Sequence, residues 1–410
     1  MKRIQRINIR VRKTRIILTD AVLLGLVFLI VVPDGMSNIS ASVYKLLYGY
    51  GYYIALFVTM VFFLASKRES RGLSKWFVIT FIFITGTFAV ALFHGTGFGN
   101  WFNSFSILLL VALLVESQRY KLERLMLTFL LVLEFWIYIN LVLMILYPDG
   151  MYYLESNHTY YNWILGYKSS LQYYLLPALC FGWINKEYGG NKIRFYVLMA
   201  VSLYETLATG NAMLTVGMIM FLVSALFRLV EIEKIYNVRN YLIGVLSLNI
   251  IFVFYIVWFA STGIGTLFLD ITGKSVVLAY RSSIIWPITL EQILEHLYFG
   301  KGVLSSDSRV TMYNGLKGAI HSHNQLMEIL FIGGIFLMIL YVILHVYMGK
   351  RLSESKSLTT SRILALAVFV FYIMMVVEVF TRKVAAAVWL LLFLACISKA
   401  LHEQLINRYD

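Results

Sequence analysis

Cysteine, proline and charge are all scarce in this chain. Two cysteines and four prolines in 410 residues leave no disulfide framework and no proline-rich linker. Charged side chains make up only 14%, against about 25% in a typical soluble domain. Hydrophobic residues reach 60% and aromatic ones 16%, with a mean hydropathy of +0.77. A chain so composed has too little polar surface to face water on every side, so it belongs in a membrane. Cys180 and Cys396 both sit inside apolar runs, and neither reads as a redox or metal residue. The net charge of +14 would suggest nucleic acid in a soluble protein, so the placement of the cations decides what it means.

A helix crossing about 30 Å of hydrocarbon needs roughly 20 mostly apolar residues. About twelve runs qualify, near 16–32, 46–65, 76–93, 103–117, 125–147, 171–185, 193–208, 212–230, 240–260, 325–348, 363–380 and 384–398. With the N-terminus placed inside, 26 of the 35 Lys and Arg residues fall in cytoplasmic segments and nine outside, as the positive-inside rule requires. The sequence therefore predicts an all-α polytopic membrane protein with both termini cytoplasmic, and the nucleic-acid reading falls away. The inside loops are too short for a nucleotide-binding domain. The long loop is outside, and it divides the single membrane unit into helices of 1–260, a loop of 261–324 and helices of 325–410.

Within that loop, residues 286–299 predict an amphipathic helix, opened by Pro287 and stopped by Gly300. Leu290, Ile293, Leu294 and Leu297 share one face, placing it along the membrane surface, either as a cover for the bundle or as the wall of a lipid-side groove. Arg281 precedes it among aromatic neighbours at the outer boundary. It can bind lipid headgroups or act as a forked ligand for a diphosphate. The loop ends in His321-Ser322-His323-Asn324-Gln325 with Glu328 one turn further on. Ser322 and Gln325 are spaced as a capping box, which puts His323 in the first helical turn. There the helix dipole disfavours imidazolium and leaves a histidine able to accept a proton. These residues either cap and hydrate a helix end or form a site. The convergence of two histidines, an amide and a carboxylate favours the site. No third ligand stands at metal spacing, so neither a metal nor a cofactor is expected.

The order of Arg281 before Trp286, Gly300-Lys301-Gly302, then His321-Ser322-His323-Asn324 and Glu328 resembles the O-antigen polymerase and ligase superfamily, particularly the Wzy-type repeat-unit polymerases. The stretch Leu165 to Leu179 is similar to the segment such proteins carry before a middle span. The resemblance covers roughly residues 160–345. It implies a glycosyltransferase-C-like membrane enzyme in the bacterial cytoplasmic membrane that polymerises undecaprenyl-diphosphate-linked oligosaccharide repeat units into O-antigen or capsular polysaccharide, without a metal. A chain-length regulator is a further candidate partner. It further implies that Arg281 holds the donor diphosphate and that His323 orients or deprotonates the acceptor hydroxyl, with His321, Asn324 and Glu328 in support. Relatives carry an arginine after a small residue at the turn equivalent to Thr209-Gly210-Asn211. Here Asn211 and Ala212 stand there, leaving Arg309 or Lys301 to supply a second diphosphate contact. The competing readings are a lipid-linked oligosaccharide flippase, which should scatter charges along many spans, and a ligase passing finished chain to another acceptor.

Overall fold

The structure, a computed structural model, describes residues 20–69, 72–153, 162–227 and 281–407 together with residues 247, 249, 263 and 267. The predicted run at 240–260 lies almost wholly outside the described residues, as do the basic arm before residue 20 and most of the large loop up to residue 280. Among the described residues the ordered elements are helical, and no β-sheet is formed.

The helices are α1 Asp20–Ile30, α2 Ala41–Lys67, α3 Lys75–Phe93, α4 Phe98–Ser117, α5 Leu122–Leu146, α6 Gln172–Glu187, α7 Lys192–Thr209, α8 Ala212–Leu226, α9 Trp286–Glu295, α10 Ser306–Met312, α11 Gln325–Glu354, α12 Thr359–Met374, α13 Ala386–Cys396 and α14 Ser398–Ile406. A helix falls on each of the predicted runs that lies among the described residues. Five of them, α2, α3, α4, α5 and α11, are long and apolar enough to cross a membrane, and α13 with α14 makes a sixth broken at 87°. The expected twelve complete spans are thus not all present among the described residues. α1, α8 and α12 are apolar but shorter, and at 1.5 Å per residue they fall short of 30 Å by themselves.

At the centre stands α13, every residue of which is buried. It packs against α4, α6, α11 and α12, and a helix that is apolar all round belongs in such a place. Around it, α3 lies along α11, α2 along α4, and α5 along α6. Large apolar side chains on α2, α3, α5 and α7, such as Phe57, Phe81, Ile145 and Ile193, face outward, as a lipid-facing surface requires.

The longest helix is broken. Inside α11, Gly334 takes φ 59° and ψ −156°, and the chain of 297–302 plugs the gap. The peptide N–H groups of Ile335 and Phe336 donate to the carbonyls of Leu297 and Tyr298, while those of Lys301 and Gly302 donate to Phe331 and Ile332. A break at membrane depth leaves backbone groups without partners, and these four bonds supply them. The approach is so close that a Cβ on Gly300 would lie 2.4 Å from the Gly333 nitrogen. One on Gly334 would lie 2.4 Å from the Leu297 carbonyl oxygen.

The amphipathic helix is present as α9, preceded by a π-helical turn, Arg281–Ile285, but it stops at Glu295 and the chain from His296 to Gly300 turns away to form the plug. The expected apolar face of α9 is divided, with Ile293 buried and Leu290 packed partly against the core. Trp286, Thr289 and Ile293 are buried, whereas Leu294 and Leu297 are exposed beside Tyr298 and Phe299. The bundle takes the face with a hydroxyl and an indole N–H that find partners, and Leu294 and Leu297 are left for an apolar surrounding.

Candidate functional site

Arg281, Arg309 and the histidine turn gather at one end of the bundle, where α11 begins. Asn324, rather than the expected Ser322, caps this helix: its Oδ1 accepts from the Met327 N–H at 3.0 Å. Ser322 instead donates its hydroxyl to the Asn324 carbonyl at 2.8 Å. His323 therefore stands just before the helix and not in its first turn, with φ 53° in the left-handed region. Both serine and asparagine are good caps, and the sequence did not discriminate between them.

Glu328 organises this turn. One carboxylate oxygen accepts from Arg309 Nη2 at 2.6 Å and the other from the Ser322 N–H at 2.9 Å. Arg309 and Glu328 are both buried, and the guanidinium also lies 3.7 Å over the Phe331 ring. Trp286 Nε1 donates to the Ser322 carbonyl at 3.0 Å, tying α9 to the same turn. Thus Arg309 is engaged inside the protein. Lys301 donates to Gln292 on α9. Asn211 caps α8 and donates to the Lys168 carbonyl. Asn324 bonds Asn249 and the Val376 carbonyl. Each of these four candidates makes a contact that holds the fold together.

The histidines are different. Their rings lie 4.1 Å apart, and the His323 N–H donates to His321 Nδ1 at 3.2 Å, so His321 presents that nitrogen unprotonated. The Nδ1 of His323 is buried and has no hydrogen-bond partner among the described residues. Burial, followed by the charges of Arg281 and Arg382, holds the His323 imidazole well below its ordinary value of 6.5. Burial does the same to His321, aided by His323 and by Arg382, Arg281 and Arg309. Two neutral imidazoles therefore lie in the field of several arginines.

Arg281 donates to Glu378 at 3.3 Å. Glu378 was expected inside a span, but α12 ends at Met374 and the carboxylate sits in the irregular segment that follows. That segment is pinned from all sides. Gln325 accepts from the Phe380 N–H and donates its own N–H to the Met375 carbonyl, and Tyr173 and Trp389 donate to the carbonyls of Val379 and Phe380. Four residues beyond Glu378, Arg382 approaches Asp34 at 3.8 Å. Asp34 is held by the Ser170 hydroxyl at 3.0 Å, and its N–H donates to the Tyr174 hydroxyl. Asp34, Glu378, Arg382 and Lys383 escaped the sequence reading as site residues. Arg382 and Lys383 were nevertheless among the nine cations placed outside, adjacent and next to a span.

These features define a class: an all-helical protein with membrane-length apolar helices that collects guanidinium groups and neutral imidazoles at one end of its bundle. The O-antigen ligase family model matches residues 195–342, the stretch holding Arg281, Arg309, the histidine turn, Glu328 and the break at Gly334, and this match supports the O-antigen polymerase and ligase superfamily for the chain. No curated protein matches it.

Proposed function

We propose that this chain is a membrane glycosyltransferase that joins undecaprenyl-diphosphate-linked oligosaccharides into a polymer at the outer face of the bacterial cytoplasmic membrane, in a chain of twelve spans with both termini inside. The observation that carries the reading is the neutral Nδ1 of His323, without a hydrogen-bond partner among the described residues, in the field of Arg281 and Arg382. A hydroxyl of the incoming sugar gives its proton to that nitrogen as its oxygen forms the new bond to the anomeric carbon of the donor. The bond from that carbon to the diphosphate oxygen breaks, and the diphosphate leaves with the electron pair. Arg281 offers it a charge-assisted fork, and guanidinium groups supply the positive charge, so the reaction requires no metal. Glu328, Arg309 and Asn324 position the turn that carries the histidines, and positioning of this kind supplies much of the rate of such transfers.

In a strain lacking the chromosomal copy, Arg281→Ala and His323→Ala should each abolish long polymer at unchanged protein level, with single repeat units accumulating. Normal chain-length ladders from both variants would refute the assignment. A second reading, transfer of finished chain to a different acceptor, is favoured by the ligase description of the matched family. It predicts free lipid-linked polymer, rather than single units, in the same two variants.

A further inference from the structure

Beside the histidine pair lies a cavity of about 320 Å³, at the small end of the range for ligand sites. His321 forms part of its wall, and so does the buried Arg309–Glu328 pair. Besides loop residues such as Leu304 and Ser306, the lining includes residues from distant parts of the chain: Asp34 after α1, Tyr44 and Tyr48 in α2, Asn103 and Ser104 in α4, and Arg382 with Lys383 before α13. All of these distant residues lie outside the segment that the family model matches.

The chemistry of the lining is specific. Its cations are already engaged: Arg382 faces the Asp34 carboxylate, and the Lys383 ammonium lies over the rings of Tyr48, Tyr52 and Phe102 at 5.3, 4.7 and 5.5 Å. A carboxylate in the wall disfavours a phosphate, and the cavity is too polar for an acyl chain. Asn103, Ser104 and Thr381 line it without a side-chain hydrogen bond to another described residue. Hydroxyls, an amide, a carboxylate and guanidinium pair and stacked tyrosine rings, 4.7 Å apart for Tyr44 and Tyr48, suit a neutral polyhydroxylated ring. Such a ligand offers donors and acceptors on its edge and C–H groups on its face.

We infer that this cavity is a saccharide subsite that receives the terminal one or two sugar residues, roughly what its volume admits, of the acceptor oligosaccharide. It presents the attacking hydroxyl to the histidine pair. The inference rests on the glycosyl-transfer reading and adds to it the place of the acceptor. The donor end is then served by Arg281 and the acceptor end by side chains both inside and outside the matched segment, with selectivity between sugars residing in those outside it, such as Asn103 and Ser104.

The test uses the full chain in lipid nanodiscs and, as probe, the lipid-free oligosaccharide repeat unit released by mild acid from the producing strain. Saturation-transfer NMR and calorimetry should detect binding to the wild type. Asn103→Ala and Ser104→Trp, the second of which fills the cavity, should each raise Kd by about tenfold or more, whereas Arg281→Ala should leave Kd within about twofold. Asn103 is exposed, so its truncation keeps the test sound if the bulky variant fails to fold. No binding to the wild type, equal binding by both cavity variants, or displacement of the saccharide by inorganic pyrophosphate would each overturn the subsite. A failure of the glycosyl-transfer reading would appear separately, as polymer ladders that survive Arg281→Ala and His323→Ala.

Discussion

At the scale of single residues, the site is set by which charges are engaged and which groups are left without partners. Glu328 and Arg309 form a buried pair, and truncating one partner strands the other charge in a poorly solvated place. Glu328→Ala should lower stability by about 3–5 kcal/mol, read by thermal unfolding in detergent, while the double change of Arg309→Met with Glu328→Leu should recover most of that loss. If the single variant melted like the wild type, the pair would not hold the turn. The histidines make a second prediction. Both fold with pKa values lowered from 6.5, so in acid the unfolded chain binds more protons than the native one. The stability they contribute is whole above pH 6.5 and falls as the pH drops below it, by about 1.4 kcal/mol per pH unit for each histidine until the folded pKa is reached. Melting temperatures between pH 7.5 and 5 should show this decline, and His321→Gln should lessen its slope. The histidine turn was legible in sequence because two histidines, an amide and a carboxylate are rare together at a helix entrance. The pairing of Asp34 with Arg382 was not, since it joins opposite ends of the chain and depends on how the helices pack.

At the scale of elements, the apolar runs were legible because twenty apolar residues have few other places to go. Where each helix stops was not. α12 ends at Met374 because the following segment is claimed by Asn324, Gln325, Tyr173 and Trp389, and these partners come from three other places in the sequence. The break in α11 was equally hidden, because Gly300 reads in sequence as a helix stop, and with Lys301 and Gly302 only as part of a family resemblance. Together they build the plug: residues 297–302 complete the backbone bonding that Gly334 interrupts. Gly334→Ala adds a side chain where φ is positive and a carbonyl is 2.4 Å away, and it should cost about 2–4 kcal/mol. Thermal unfolding should register that loss, and limited proteolysis should cut near residue 300 in the variant but not in the wild type. A variant that resisted both would mean that the plug adds nothing to the fold.

At the scale of the whole molecule, composition announced a membrane protein, but neither it nor the charge distribution revealed that α13 would be the buried axle around which the rest is built. An all-apolar helix looks the same in sequence whether lipid or protein surrounds it. The broken helix has a consequence at this scale for how the protein meets the bilayer. An unbroken helix of 30 residues would reach about 45 Å, well beyond the roughly 30 Å of hydrocarbon, and would have to tilt as one rod whenever lipid thickness changed. Divided at Gly334, its far half, held to the plug only through the N–H groups of Ile335 and Phe336, can take up the mismatch by tilting, while the near half, bonded to the plug and to the segment after α12, keeps the histidine turn in register. Transfer rates in nanodiscs of short-chain and long-chain lipids should consequently differ by less than about twofold. A steep dependence on chain length would show that the two halves respond to the bilayer as a single lever.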